Sequence, residues 1–330
     1  CTASASTSAS TSTLFHHCAI VNTHCEPNMS TVILPSMETL VEPWLAAAVV
    51  GVLMVIYFVW NSGPKKFLPQ TEFTSLPLIR KEVLSHDTVR FTFGLPKNYV
   101  LGLPTGQHLS LKFTNAEGKA VQRSYTPVSD RDTVGEVSLV IKVYHPSPPK
   151  FPNGGQMSQY LDSLKIGDTI LANGPKGHVE YLGKGRFTTK PLGKPLEKRY
   201  ASPIAMMAGG TGITPMLQII HAIFKNNEST KIKLLYANQT EDDILVRQEL
   251  EELSKKHPDQ FSLWYTVDRA VAKDWKYDTG FISTKMVRDH CLFESRETQF
   301  FMCGPPPMIK YACIPALTEL GYNDKEWVIF

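Results

Sequence analysis

One heptapeptide combines groups suited to a large, flat, anionic ligand. Residues Arg123–Ser129 read Arg-Ser-Tyr-Thr-Pro-Val-Ser. An arginine guanidinium offers a planar fork of donors to a pyrophosphate. If this stretch is a strand, Arg123 and Tyr125 share a face, because strand side chains alternate with a period of two. An ordinary strand with one surface arginine is the simpler interpretation, and the heptapeptide alone does not choose between the two.

Two glycine-containing stretches predict further anion sites. Gly154 and Gly155 precede a predicted helix that runs to Leu164, and the segment Gly209–Pro215 reads Gly-Gly-Thr-Gly-Ile-Thr-Pro. Glycines let the backbone approach a ligand, and a helix N-terminus directs free N–H groups at an anion. The second stretch lacks the GxGxxG spacing, although Pro215 suits the first turn of a helix. Plain glycine turns remain the alternative for both.

A proline-rich loop marks a third region. Residues Cys303–Met308 read Cys-Gly-Pro-Pro-Pro-Met, after a predicted parallel strand. Open α/β sheets bind ligands at the carboxyl ends of such strands. Cys303 as a nucleophile is disfavoured, because no histidine lies near it in the sequence. The six cysteines show no metal-ligand spacing, so no metal site is predicted, and those after residue 65 are expected to be free cytosolic thiols.

The elements that must position these residues change character along the chain. Short alternating runs between Phe67 and Leu182 are separated by Gly, Pro and Asn turns, which predicts a small antiparallel β-barrel domain over 67–186. The polar, proline-bearing segment 187–200 predicts a domain linker. Over 201–330 strands and helices alternate, which predicts a Rossmann-like α/β domain with a parallel sheet. Its predicted strands are Ile204–Ala208, Ile232–Ala237, Phe261–Val267 and Thr298–Cys303, and its predicted helices are Pro215–Phe224, Ile244–Leu253, Thr284–Cys291 and Pro306–Leu320.

The N-terminal part predicts an extension and an anchor. Residues 1–42 are interpreted as a disordered extension, with Met29 or Met37 as a candidate natural start. Residues 43–64 carry no charge, and a helix over 43–60 would be about 27 Å long, which predicts a transmembrane anchor in a lipid bilayer followed by a short linker. The basic pair after residue 64 places the remainder in the cytosol. A buried core helix and a cleaved signal peptide are the alternatives, and both are disfavoured.

Charge narrows the class of partner. All 34 Lys and Arg, but only 28 of the 31 acids, lie at or after Lys65, so that part carries a net charge of +6. This excess is too small and dispersed for nucleic acid. It suits an acidic protein partner that meets the chain through electrostatic steering. We expect a monomer.

Taken in order, the four motifs resemble those of the ferredoxin-reductase-type flavoproteins, most closely the membrane-anchored NADH–cytochrome b5 reductases. The resemblance covers about residues 70–330 and rests on Arg123–Ser129, Gly154–Ser158, Gly209–Pro215 and Cys303–Met308. Each motif is short, but four in this order across a β and an α/β domain are specific. The resemblance implies an FAD-binding first domain and an NADH-binding second domain.

The resemblance also implies roles for single residues in the first domain. Arg123 would bind the FAD pyrophosphate, Tyr125 would lie beside the flavin and ribityl chain, and Thr126 would lie at flavin N5. Thr126, Tyr125 and Lys142 are the expected catalytic residues. Further FAD contacts are expected from Ser124, Lys142, Tyr144, Gly154, Gly155, Gln156, Met157 and Ser158. Gln156 departs from the Lys or Arg of many relatives.

In the second domain the resemblance implies an NADH site. The pyrophosphate turn would comprise Gly209, Gly210, Thr211, Gly212 and Thr214, and the nicotinamide pocket would comprise Cys303, Gly304, Pro305 and Met308. Asp243 would lie near the adenine ribose, where a carboxylate repels a 2′-phosphate and favours NADH.

The implied activity is hydride transfer from NADH to flavin N5, followed by single-electron transfers to cytochrome b5 or a similar acidic haem protein. Other cytosolic carriers, such as that of diphthamide synthesis, are further implied acceptors. The implied location is the endoplasmic reticulum or the mitochondrial outer membrane. A related reductase with another acceptor, such as the flavin module of nitrate reductase, is an alternative, although 330 residues leave no room for its haem and molybdenum domains. A non-enzymatic membrane tether of the same fold is the other.

Overall fold

The computed structural model describes residues 43–61, 63–68, 71–149, 151–294 and 297–330. The chain divides into two compact units, Cys1–Trp60 and Asn61–Phe330. The extension predicted over 1–42 lies outside the described residues.

The described part of the first unit is one helix. Helix α1 spans Pro43–Asn61, in agreement with the predicted helix, and its side chains from Trp44 to Phe58 are exposed. None of the helices in the described ranges combines the length and apolarity that crossing a bilayer requires, so the transmembrane anchor predicted over 43–60 is not confirmed.

The second unit begins with an antiparallel sheet. Six of its first eight strands form one sheet in the order β6-β5-β8-β2-β3-β7, and β1 pairs with β4. The strands are β1 (Lys65–Lys66), β2 (Thr74–Val83), β3 (Thr88–Gly94), β4 (Tyr99–Val100), β5 (His108–Thr114), β6 (Ala120–Tyr125), β7 (Glu136–Lys142) and β8 (Thr169–Lys176). Helix α2 (Gln156–Ser163) precedes β8 and buries Met157 and Leu161 against this sheet's core.

The closed barrel predicted for this domain is not confirmed. The edge strands β6 and β7 share no ladder in the described residues, and single hydrogen bonds join their ends instead. The Val128 amide donates to the Ser138 carbonyl (3.0 Å), and the Ser138 amide donates to Ser129 Oγ (3.1 Å). Pro127 lies just beyond β6 and has no amide to donate, which ends the pairing there.

A small sheet occupies part of the predicted linker 187–200. Strands β9 (Val179–Gly183), β10 (Arg186–Thr189) and β11 (Glu197–Tyr200) pair antiparallel in the order β11-β10-β9. Phe187 is buried, and its ring centroid lies 5.2 Å from that of Phe301. The linker is therefore ordered here, because one aromatic side chain packs into the core of the following domain.

The predicted parallel α/β sheet is confirmed. Its order is β15-β14-β13-β12-β16-β17, and every neighbouring pair is parallel. The strands are β12 (Ile204–Gly209), β13 (Ile232–Asn238), β14 (Phe261–Val267), β15 (Asp278–Thr279), β16 (Gln299–Cys303) and β17 (Trp327–Ile329).

Helices cover this sheet. They are α3 (Ile213–Lys225), α4 (Arg247–Lys256), α5 (Thr284–Cys291), α6 (Pro306–Met308) and α7 (Ile314–Glu319), with a π-helical turn over Ile309–Cys313. Short 3₁₀ helices occupy Gly210–Gly212 and Glu241–Asp243. Strand β12 is buried along its whole length, so both faces of the sheet centre belong to the core, as is usual for parallel sheets. The carboxyl ends of β12 and β16 carry the third and fourth motifs, Gly209–Pro215 and Cys303–Met308.

Candidate functional site

A cleft of about 960 Å³ brings all four motifs together. The β domain supplies one wall, and the carboxyl edge of the parallel sheet supplies the other. The predicted residues that line it are Arg123, Ser124, Tyr125, Thr126, Lys142, Tyr144, Gly154, Gly155, Gln156, Met157, Ser158, Gly209, Gly210, Thr211, Gly212, Thr214, Cys303, Gly304 and Pro305. Asp243 and Met308 are not among the residues that line it.

Strand β6 carries the first motif into the cleft. Arg123 and Tyr125 share a face with Val121, which is buried in the sheet's core, so the alternation predicted from the sequence is confirmed. One guanidinium nitrogen of Arg123 donates to the Gln122 carbonyl at 2.7 Å, and within the described ranges no carboxylate pairs with it. The exposed guanidinium is therefore available to an anionic ligand.

Tyr125 is a neutral group of this wall. Burial raises the pKa of its phenol well above the ordinary value, against the lowering effect of Arg123. Its ring packs against the core of the antiparallel sheet. The hydroxyl therefore keeps its proton at physiological pH and can donate to a ligand.

A glycine pair and a helix start form a cradle beside this strand. Gly154 has φ +61°, and a Cβ there would lie 2.5 Å from the Tyr144 carbonyl oxygen. The Gly155 amide donates to that same carbonyl at 2.7 Å. Ser158 Oγ donates to the Gly155 carbonyl (3.0 Å) and accepts from the Tyr144 amide (3.1 Å). No side chain caps the first turn of α2, so its amides suit a phosphate.

Lys142 joins the two domains. Its Nζ lies 2.7 Å from Asp87 Oδ2 and 2.5 Å from Asp243 Oδ1. All three side chains are mostly buried. His86 also approaches, but Lys142 supplies the cation that holds the two carboxylates, so this cluster needs no metal ion.

The structure gives Asp243 contacts that the sequence did not predict. Its Oδ2 accepts from the Thr240 amide (2.9 Å) and from the Thr240 hydroxyl (2.7 Å). Burial raises the pKa of its carboxyl, but the hydrogen bonds from Lys142 and Thr240 outweigh burial and hold the pKa below its usual value. Both oxygens are therefore engaged within the protein, and the place of Asp243 near an adenine ribose stays a prediction.

The opposite wall is built from backbone. A Cβ on Gly212 would lie 2.1 Å from the Cys303 carbonyl oxygen, and a Cβ on Gly209 would lie 2.5 Å from Met308 Sδ. Gly210 differs, because it has φ +52° and open space where its Cβ would be. Met308 thus packs behind the wall against two glycines, Gly209 and Gly304, instead of lining the cleft.

Cys303 is a neutral thiol in this wall. Burial raises its pKa to about 11. A thiol with that pKa is protonated at physiological pH and is a poor nucleophile. This agrees with the sequence, which disfavoured Cys303 as a nucleophile, and its place in a nicotinamide pocket stays a prediction.

Several lining residues were not predicted. They are Gly106, His108, Val140, Ile141, Phe151, Asn153, Gly177, His178, Val179, Pro215 and Phe330. The Phe330 amide donates to the Met302 carbonyl at 2.9 Å, so the end of the chain extends β17 into the cleft. Burial, together with His178 and Lys176, lowers the pKa of His108. The aromatic-rich last strand was a signal for Phe330, whereas no spacing pattern marks the two histidines.

The donors and cradles of this cleft fit a flavin and a nicotinamide dinucleotide. A free guanidinium, an uncapped helix start and two glycine-lined backbone segments are what two pyrophosphates require. Residues 75–181 match the model of the oxidoreductase FAD-binding domain, and residues 206–314 match that of the oxidoreductase NAD-binding domain. Fold and site thus define the class of two-domain FAD- and NAD-binding oxidoreductases.

Individual relatives narrow this class. The chain is 49% identical over 290 residues to NADH-cytochrome b5 reductase 2 of Xenopus laevis, covering 85% of this chain and 97% of that protein. It is 53% identical over 258 residues to NADH-cytochrome b5 reductase 2 of Gallus gallus, covering 77% of this chain and 84% of that protein. The solved cytochrome b5 reductase domain of Ulva prolifera nitrate reductase matches with TM-score 0.74 and 42% identity, covering 80% of this chain and 99% of that one. The chain belongs to the NADH–cytochrome b5 reductase family.

Proposed function

We propose that this chain passes electrons from NADH through FAD to cytochrome b5. The observation that carries the proposal is one cleft lined both by Thr126 of the β domain and by Gly304 of the α/β domain. The relatives' names supply the donor and the acceptor. FAD supplies the chemistry when bound, because it takes up two electrons with a hydride and releases them singly.

The protein's own contribution to the flavin is binding and orientation. Arg123 would pair with the FAD pyrophosphate, and the first turn of α2 after Gly155 would give that pyrophosphate backbone donors. Tyr125 would lie beside the flavin ring and the ribityl chain, and Thr126 would hold the ring edge that takes up the hydride. Because Tyr125 keeps its proton, it serves as a hydrogen-bond donor and not as a base.

The opposite wall orients the nicotinamide. Gly209, Gly210 and Gly212 let the dinucleotide's phosphates reach the start of α3. Gly304 and Pro305 shape the pocket for the ring. With both cofactors bound, this cleft would hold the nicotinamide and the flavin next to each other. Holding two reactants in this way is the main rate advantage that a protein offers to hydride transfer.

The preference for NADH follows from charge near the donor. Asp87 and Asp243 surround the single cation of Lys142, so the cluster carries a net negative charge beside the cleft. Such a cluster disfavours the 2′-phosphate of NADPH. Asp243→Thr is expected to raise the ratio of NADPH to NADH turnover, and an unchanged ratio would remove Asp243 from the basis of this preference.

The test compares electron acceptors at a fixed concentration of NADH. We expect the purified, FAD-loaded chain to reduce both ferricyanide and cytochrome b5 with NADH. Reduction of ferricyanide alone would overturn cytochrome b5 as the acceptor and leave the NADH-to-FAD half intact. If a flavin-loaded protein reduced neither acceptor, the whole proposal would be overturned. That result would favour a non-enzymatic tether of the same fold.

We further propose that residues 43–60 attach the chain to a membrane, with the catalytic unit in the cytosol at the endoplasmic reticulum or mitochondrial outer membrane. The exposed side chains of α1 from Trp44 to Phe58 support this, because apolar side chains on all faces of a helix need apolar surroundings. In flotation with phosphatidylcholine vesicles, the full chain is expected to float after an alkaline carbonate wash, and a chain without residues 1–64 is expected to stay behind. Full-length protein recovered at the bottom would contradict the attachment.

A further inference from the structure

The turn between β10 and β11 displays a leucine at its apex. The Lys194 amide donates to the Pro191 carbonyl at 3.0 Å, and Gly193 has φ +73°, which is a tight turn that needs glycine at this position. The turn leaves Leu192 fully exposed, and Leu196 nearby is 56% exposed. A leucine at the tip of a loop gains nothing from the protein's own core.

Cations surround this leucine. Residues 181–200 contain six Lys or Arg and one acid, Glu197. Glu197 is held by the Arg199 guanidinium at 2.6 Å, which leaves the exposed Lys190, Lys194 and Lys198 without an ion pair in the described part of the chain. We define residues 190–198 as the hairpin tip; it is basic and apolar together.

Backbone hydrogen bonds fix the base of the hairpin tip. The ladder between β10 and β11 ends at the pair Thr189 and Glu197, directly beneath the tip. The Lys190 amide donates to the His178 carbonyl at 2.7 Å, which fixes the other side of the base. A binding partner would therefore meet a turn that is already ordered, so little entropy is lost on contact.

The chemistry of the tip favours a lipid surface over a protein. Even the small interfaces of electron-transfer complexes, at up to roughly 1,200 Å² in total, are made by many side chains, whereas this convex turn presents one apical leucine. A bilayer with anionic headgroups satisfies both features, because the leucine enters the interfacial region and the lysines stay among the phosphates. An anionic bilayer is therefore complementary to the hairpin tip in both charge and shape.

We propose that the hairpin tip inserts Leu192 into the surface of an anionic bilayer, with Lys190, Lys194 and Lys198 against the lipid headgroups. This contact is separate from α1 and does not depend on the proposed electron transfer. It gives the catalytic unit its own lipid contact.

The experiment uses the full chain with Leu192→Trp, and the wild-type fluorescence is subtracted as background. The protein is mixed with vesicles of phosphatidylcholine brominated in the acyl chains, with or without about 30% phosphatidylserine. We expect bromine to quench the added tryptophan on the anionic vesicles and not on the neutral ones. Phe281→Trp is the matched control, because Phe281 is 79% exposed and lies outside the hairpin tip; its tryptophan is expected to stay unquenched on both.

A charge variant tests the role of the lysines. Lys190→Gln, Lys194→Gln and Lys198→Gln, added together to Leu192→Trp, are expected to weaken insertion roughly a hundredfold, at about fivefold for each lysine. Raising the salt to about 1 M should act in the same direction, since screening then reaches about 3 Å. Flavin content and thermal unfolding verify that each variant is folded.

Three results would overturn the proposal. They are quenching of Leu192→Trp no greater than that of Phe281→Trp, equal quenching on neutral and anionic vesicles, and a fluorescence change with soluble cytochrome b5 that is larger for Leu192→Trp than for Phe281→Trp. The last result would assign the hairpin tip to an acidic protein.

Discussion

The two walls of the cleft are made in opposite ways. The β-domain wall adds the side chains of Arg123, Tyr125 and Lys142 to its backbone cradle at Gly154 and Gly155, whereas the α/β wall presents mainly backbone at Gly209–Gly212 and Gly304. Side chains give the first wall charge and hydrogen-bond donors. The second wall depends on the absence of side chains, because protein atoms already fill the space beside Gly209 and Gly212.

Because of this difference, we expect substitutions in the two walls to have different effects on cofactor binding and on stability. Removing the guanidinium of Arg123 or the hydroxyl of Tyr125 from the first wall should weaken cofactor binding and leave the fold intact, whereas Lys142 also holds two buried carboxylates and should affect stability. Adding a carbon to the second wall should harm the fold wherever protein fills the space, and should harm ligand binding wherever the space is open.

The largest effect is expected from Gly212→Ala. Its Cβ would lie 2.1 Å from the Cys303 carbonyl oxygen, and backbone cannot move aside as a flexible side chain can. We expect a loss of more than about 3 kcal/mol in the free energy of unfolding, measured by urea denaturation. Gly210→Ala is the matched control, because it meets no atom within 4 Å; with φ +52° it should cost only about 1–2 kcal/mol while weakening NADH binding. Equal stability of the two variants would contradict the contrast within this wall.

Next in size is Lys142→Met. It leaves Asp87 and Asp243 buried side by side without their cation, a change that costs about 3–5 kcal/mol in comparable sites. Arg80→Met, which removes an exposed ion pair with Glu136, should cost less than about 1 kcal/mol. Similar losses for both in thermal unfolding would show that Lys142 does not hold the two domains together.

The same cluster predicts a pH dependence. Since the pKa of Asp243 is lowered in the folded protein, the stability it contributes is present above its unfolded pKa of about 3.9 and is lost as the pH falls through the folded value. Asp243→Asn should therefore be less stable than wild type at pH 7 and should lose less stability on acidification below about pH 4. Parallel acid-denaturation curves for the two proteins would argue against the ion pair.

A smaller effect on stability, but a large one on cofactor content, is expected from Arg123→Ala. A charge-assisted hydrogen bond to pyrophosphate contributes about 1.5–3 kcal/mol, so FAD affinity should fall roughly 10- to 150-fold with the unfolding temperature of the FAD-free protein unchanged. Arg123→Lys keeps the charge without the planar fork, so its FAD affinity should lie between that of wild type and that of Arg123→Ala. Normal flavin content in Arg123→Ala would refute the role of this residue.

The smallest effect is expected from Tyr125→Phe. The ring continues to pack against the core, and only the hydroxyl is lost. FAD affinity should fall about 2- to 10-fold, as for one neutral hydrogen bond. A loss as great as that of Arg123→Ala would show that the hydroxyl, and not the guanidinium, dominates this wall.

The sequence predicted the local elements well, because the signals are local. The strand Phe261–Val267 and the helix Thr284–Cys291 have the predicted bounds, since alternation and helical periodicity are visible within a few residues. The sequence also predicted most of the residues that line the cleft, because each motif lies at the end of a strand or the start of a helix.

The misses concern partners that are distant in sequence. Lys142 and Asp243 are 101 residues apart, and no local pattern reveals their pairing. The sheet over the predicted linker forms because Phe187 packs against Phe301 from the following domain. Phe330 reaches the cleft only because β17 adds to the edge of the parallel sheet beside β16.

The most direct test of the two-walled site is anaerobic mixing of the FAD-loaded chain with equimolar NADH, followed by cytochrome b5, with the flavin absorbance recorded throughout. We expect rapid bleaching of the flavin on NADH addition and recovery of the absorbance as cytochrome b5 is reduced. A flavin that is bound but unchanged by NADH would contradict it, because the two walls would then not bring donor and flavin together.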